Sequence, residues 1–186
     1  MKIIHIIPSL GSGGAEKLVV DLCNELSKKD EVIILLFREM TDDMHFQKMI
    51  TSEVKVIELD KNKGFDFIFQ LNLVQILLKE SPEIIHAHLS AINYLFFPIV
   101  LLFNTQVFHT IHTLAHLEEK RIFFIKLRKA YYYLNLIIPV SITKLTKNTF
   151  IHLYELNKTF MINNGIQKLK LSNIHRKVSE EISELK

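Results

Sequence analysis

The sequence predicts an open α/β fold: a parallel sheet of about seven strands with helices on both faces. Three observations carry this. Short runs of Ile, Val and Leu show no polar alternation, as strands buried on both faces do. Between them lie segments whose apolar residues recur at helical spacing. And the first such junction is a glycine-rich loop, Gly11-Ser12-Gly13-Gly14, the usual form of a ligand loop at the carboxyl end of a strand.

The elements follow in order. Lys2–Ile7 is the first strand, and from Ala15 the residues Leu18, Val19, Leu22, Cys23 and Leu26 mark a helix. Residues 31–37 form a second buried strand, 40–50 are mixed with a short helix, and 54–59 alternate as an exposed strand does. After the loop 60–64 come a helix over 65–79, a strand ending in His86-Ala87-His88 and an apolar helix over 90–103. A strand at 106–111, a loop at 112–116, a helix over 117–134, a strand at 136–140, a helix over 143–153 and a strand at 159–162 complete the alternation. Strands separated by helices pair in parallel through right-handed crossovers, giving a Rossmann-like sheet. Residues 163–166 read as a turn, and 168–186 as a polar tail with one weak helix.

The chain has 186 residues, 48% apolar and 23% charged, enough for one cored domain and too ordered in composition for disorder. Its net charge of +3 suits an anionic ligand or lipid surface and is too small to point to nucleic acid. The single cysteine, Cys23, is expected as a buried thiol, which fits a reducing cytoplasm. No signal peptide is visible, and the apolar stretch 89–103 is shorter than the roughly 20 residues of a membrane span. A cytoplasmic protein, soluble or peripheral at a membrane, is therefore expected.

The loop offers free N–H groups and a helix dipole to an anion. It is not a dinucleotide fingerprint, which needs a third glycine where Glu16 stands, and it lacks the Gly-Lys-Ser/Thr of a P-loop. A tight turn without ligand remains open. Histidines cluster at the ends of the middle strands: His86 and His88 on one strand face, then His109, His112 and His116. Zinc is one reading of them, but the usual ligand patterns are missing, and no metal site is assigned. His86 is expected as a core histidine bonded to backbone. His112, just past a strand, sits where the crevice of such a sheet opens. Ser141 reads as a helix N-cap. Over 120–133, Lys and Arg interleave with aromatics, which fits either an anionic membrane surface or a helix burying Phe123, Leu127 and Tyr131 with its cations solvated.

Gly13-Gly14-Ala15-Glu16 after an N-terminal Ile-rich strand and Pro8 resembles the opening of glycosyltransferase family 4, two-domain GT-B enzymes that move a sugar from a nucleotide-sugar to an acceptor. The resemblance continues through Glu83-Ile84-Ile85-His86-Ala87-His88, through Phe108-His109-Thr110-Ile111-His112-Thr113, through Val140-Ser141-Ile142-Thr143-Lys144 and through Asn163-Asn164-Gly165-Ile166-Gln167. Glu83, Ile142 and Gln167 depart from the usual Asp, Glu and Asp. It implies that residues 1–167 are the N-terminal, acceptor-binding half of a retaining enzyme. Residues 168–186 would then start a linker to an absent C-terminal, donor-binding domain. It assigns His112 to the transferred sugar, Gly13 and Gly14 to the donor phosphates, and Asn164 and Gly165 to the interdomain hinge. Glu16, His88 and Ser141 fall on the acceptor side, Glu16 supporting the loop rather than acting as a base. A UDP- or GDP-sugar is the implied substrate and a glycan or lipid-linked molecule the acceptor, with no tightly bound cofactor and no metal required. The isolated chain is expected to be inactive or nearly so, as a truncated piece, a gene fragment or one subunit of a split enzyme. Surface-glycan synthesis is the implied setting. A nucleotide-binding oxidoreductase domain and a non-catalytic interaction module are the alternatives.

Overall fold

The computed structural model describes residues 1–37, 45–62, 64, 66–99 and 104–165. Seven parallel strands form one sheet: β1 (Lys2–Ile7), β2 (Glu31–Leu36), β3 (Lys55–Glu58), β4 (Ile84–His88), β5 (Gln106–Ile111), β6 (Ile138–Ser141) and β7 (Phe160–Met161). Their spatial order is β3-β2-β1-β4-β5-β6-β7. The two apolar runs Ile3–Ile7 and Val32–Leu36 are buried throughout because β1 and β2 lie inside the sheet. β3 and β7, at the edges, are short and partly or wholly exposed.

Helices cover both faces. On one, α1 (Gly14–Leu26) packs Val19, Val20 and Cys23 against Ile7, Val32, Ile34 and Leu36. Burial pushes the Cys23 thiol well above its ordinary value, so it stays protonated. On the other face, α2 (Phe67–Glu80), α5 (Ile122–Tyr133) and α6 (Lys144–Tyr154) bring Phe69, Leu73, Leu77, Tyr132, Phe150 and Tyr154 onto Ile4, Ile6, Ile33 and Ile85. Asp66 caps α2 by accepting from the Phe69 N–H at 2.9 Å, and Thr143 with Thr146 closes a capping box on α6.

Four helical expectations change. The helix over 90–103 is a 3-10 turn, Leu89–Tyr94, followed by the short α3 (Phe96–Ile99); positions 100–103 lie outside the described residues. The helix over 117–134 is divided into α4 (Ala115–Glu118) and α5 by an extended Glu119. The N-cap of α6 is Thr143 rather than Ser141, which is the last, fully buried residue of β6. The expected short helix within 40–50 is a 3-10 turn at Gln47–Met49, with 40–44 outside the described residues, as is the tail 168–186.

Candidate functional site

In a parallel sheet every strand ends at the same edge, and a crevice opens where the strand order reverses. Here that point lies between β1 and β4, whose following connections run in opposite directions along the sheet. The glycine loop follows β1, His88 ends β4, His112 follows β5 and Ile142 follows β6. Leu89 joins the two sides, in the left-handed region with φ 55° and packed on the cluster that holds Leu10 of the loop.

Gly13 is the N-cap of α1, with φ −88°. A Cβ at this position would collide with Oε2 of Glu16, so the glycine leaves room for that carboxylate rather than supplying an unusual backbone conformation. The Glu16 carboxylate folds back over the loop, close to Gly11 and Gly13. Gly14 begins the helix, and a Cβ added there would meet nothing within 4 Å. The first N–H groups of α1 have no partner inside the helix.

The histidines form a chain. Because His5, His86 and His88 occupy alternate positions on adjacent strands, in register His5↔His86, they share the α1 face of the sheet. Nδ1 of His5 lies 3.1 Å from Nε2 of His88, and Nδ1 of His88 lies 3.0 Å from Nε2 of His112. His86 stands beside them, its Nε2 2.7 Å from the Thr110 hydroxyl rather than bonded to backbone. Burial lowers all four rings; neighbouring imidazoles lower His86 and His88 further. His5 is held at about 4, and His112 also at about 4 although Glu118 pulls it upward. All four are neutral at pH 7, so His112 offers hydrogen-bonding nitrogens and no positive charge.

This geometry revises two acceptor-side assignments: His88 is fully buried with both ring nitrogens engaged by other imidazoles, so it lines no acceptor surface. Ser141 is likewise buried, its hydroxyl 2.9 Å from that of Thr159. Nitrogens of His5, His86 and His88 approach within 4.8 Å of one another. Two of the three rings already bond to each other.

The opposite face of the sheet holds residues that periodicity did not single out. Arg128, 1% exposed, donates to Oδ1 of Asn93 at 2.9 Å and to Oε1 of Glu118 at 3.0 Å. Glu119 receives Asn93 at 2.7 Å and a bidentate pair from Arg121 at 2.8 and 2.9 Å. These contacts draw Glu119 inward and break the helix expected over 117–134. Arg128 is thus not a solvated cation, and Phe123, expected in the core, is 70% exposed. Burial pushes both carboxyls up, but His109 and Arg128 hold Glu118 below its ordinary value, and Arg121, Asn93 and Arg128 hold Glu119 at about 2. Glu118 also accepts the His112 backbone N–H at 3.2 Å and lies 3.1 Å from Nε2 of His109, whose Nδ1 faces the Tyr132 hydroxyl at 2.7 Å. His112 is therefore held from two sides, its ring by His88 and its backbone by Glu118.

Asn164 and Gly165 follow β7 as exposed coil and line a 420 Å³ cavity with Leu18, Leu22 and Ile142. A larger cavity, 770 Å³, lies between α2 and α5, walled by Phe67, Leu71, Tyr94, Phe96 and Phe124 with Lys61 and Arg121 among its lining residues. Among the described residues no helix is long and apolar enough to cross a membrane.

Comparison with known proteins agrees with this architecture. The chain superposes on Anabaena Alr3699/HepE in complex with UDP at a TM-score of 0.74, with 15% identity over 98% of this chain and 50% of that one. A glycosyltransferase from Rickettsia africae gives 0.70, 19% identity, 98% and 49%. The lipopolysaccharide outer core galactosyltransferase WaaB gives 0.60, 15% identity, 91% and 47%. The chain thus spans about half the length of these solved structures. No curated protein matches it in sequence. The sequence profile of Glycosyltransferase Family 4, however, matches residues 12–168, most of the chain and all the strands from β2 onward. The chain belongs to glycosyltransferase family 4, and its fold is that of one half of a GT-B glycosyltransferase.

Proposed function

We propose that this domain is the acceptor-side, N-terminal half of a retaining glycosyltransferase that moves a hexosyl group from a nucleotide-sugar to a glycan or lipid-linked acceptor. The observation that carries the reading is His112: a neutral imidazole at the carboxyl edge of the sheet, beside the reversal of strand order, held from both its ring and its backbone. A neutral imidazole there orients a sugar hydroxyl rather than stabilising charge. Charge on the departing diphosphate is met by the N–H groups at Gly13 and Gly14 and by the dipole of the 13-residue α1, so no metal is required.

The nucleotide and most of the donor contacts belong to a second domain, with Asn164-Gly165 as the hinge, and this chain alone is inactive. Because HepE is known with UDP and with UDP and glucose, a UDP-sugar is the donor favoured here over a GDP-sugar. The 770 Å³ cavity, apolar with two cations among its lining residues, supports an acceptor that carries an apolar chain and an anionic group. Ile122 and Phe123, both 70% exposed beside Lys120 and Lys126, support peripheral docking on the cytoplasmic face of an anionic membrane. Synthesis of a surface polysaccharide is the setting.

The test is transfer from radiolabelled UDP-glucose, UDP-galactose and GDP-mannose to a membrane extract by the native polypeptide, with and without EDTA. Transfer from a UDP-sugar that persists in EDTA is expected. Absence of transfer from all three, with binding of NAD or NADP instead, overturns the reading in favour of an oxidoreductase domain.

A further inference from the structure

We propose that His5 and His88 are positioning residues for His112. Two consecutive imidazole–imidazole hydrogen bonds impose one tautomeric order on the three rings, so that His112 presents Nδ1–H to its ligand.

A neutral imidazole has one N–H and one lone pair, and which nitrogen carries the proton is set by the bond the other makes. In a chain His5–His88–His112 only two orders satisfy both links. In the first, His5 Nδ1–H donates to Nε2 of His88, and His88 Nδ1–H donates to Nε2 of His112. His112 then carries its proton on Nδ1, the nitrogen not engaged by His88. In the second, every proton is reversed: His112 Nε2–H donates to His88, His88 Nε2–H donates to His5, and His5 is protonated on Nε2.

The far end of the chain decides between them. Nε2 of His5 is buried, on a ring that lines the 420 Å³ cavity, and no protein group bonds to it, the one such side-chain atom among the described residues. The second order would place an N–H there with no protein acceptor to receive it, whereas the first leaves only a lone pair. Orphaned buried N–H groups are the rarer and costlier of the two. Burial of all three rings keeps them neutral, as both orders require. His86 does not compete, because its Nε2 faces the Thr110 hydroxyl.

The consequence is chemical. Free histidine favours Nε2–H, so the buried chain forces the less common tautomer on His112. Its ligand-facing nitrogen is then a donor, suited to the oxygen of a sugar hydroxyl or phosphate, and has no lone pair with which to act as a general base. This functional meaning rests on the placement of His112 at the donor sugar; the tautomeric order itself does not.

The experiment is a long-range ¹H–¹⁵N correlation spectrum of the ¹⁵N-histidine-labelled 186-residue chain at pH 7. It distinguishes pyrrole-type from pyridine-type nitrogen in each ring. The expected result is Nδ1–H on His5, His88 and His112; Nε2–H on these rings overturns the proposal. Two variants test the transmission. In H88N the amide nitrogen stands near the lost Nδ1 and keeps the donor toward His112, whereas in H88Q it stands near Nε2 and does not. His112 should stay Nδ1–H in H88N and revert to Nε2–H in H88Q, and the same tautomer in both contradicts the relay. If either variant fails to fold, judged from its amide spectrum, the wild-type spectrum still decides. In the native polypeptide, sugar transfer should fall at least tenfold further in H88Q than in H88N. If H112A leaves transfer intact, the donor-sugar reading fails while the tautomeric order stands.

Discussion

Replacing Arg128 by methionine removes the centre of the ionic network beneath the His112 loop. The guanidinium is 1% exposed, and its partners Glu118 and Glu119 have side chains only 4% and 3% exposed. In R128M those carboxylates stay buried, with Glu119 keeping Arg121 but Glu118 losing its only arginine. Removing one partner of a buried pair costs about 3–5 kcal/mol, because the remaining charge is stranded. For a domain of this size that is a fall in Tm on the order of 10 °C. The assay is urea and thermal unfolding at pH 7.5 and pH 4.5. The stranded carboxyl rises in pKa and takes up a proton at the lower pH, while the wild-type carboxyls, held below their ordinary values, remain charged. The deficit of R128M against wild type should therefore shrink at pH 4.5, and adding E118Q should recover part of it at pH 7.5. A loss under about 1 kcal/mol, or one independent of pH, would refute the reasoning.

Acid should destabilise the wild-type protein through its histidines. His5 is held at about 4 against an unfolded value near 6.5, so the unfolded chain binds more protons between these values; its contribution is complete above pH 6.5 and lost toward pH 4. At pH 5 that is about 2 kcal/mol from His5 alone, and H5F should remove it, as unfolding curves across pH would show. G14A should raise stability by up to about 1 kcal/mol, since the added methyl meets nothing within 4 Å. G13A should lower stability slightly by displacing the Glu16 carboxylate, and urea midpoints for the pair check both. I122S/F123S should abolish co-sedimentation with phosphatidylserine vesicles while leaving Tm within 1–2 degrees or so, because both side chains are exposed.

Much of this fold was legible in the sequence, for a physical reason. Strands buried on both faces leave no room for polar alternation, and Lys2–Ile7 and Glu31–Leu36 announce themselves accordingly. The spacing of His86 and His88 also placed them on one face without further information. What was not legible depends on partners distant in sequence. Glu118 and Glu119 look like solvent positions on a long helix until Asn93 and Arg128 are brought to them. Arg128 itself looked solvated because cations at helical spacing usually are. His5 could not be joined to His88 because that requires the register of β1 against β4, which no local pattern encodes. The loops and strand ends of the candidate site were thus legible, while the hydrogen bonds that support them were not.

The most direct measurement is kcat/KM for sugar transfer by the native polypeptide carrying H112A against the same polypeptide carrying H116A. His116 is exposed on α4 in the same segment, and neither histidine is a core packing residue. The account predicts a loss of about a hundredfold or more for H112A, and a change within about twofold for H116A. Equal activity of the two variants would contradict it and move the reacting sugar away from the carboxyl end of β5.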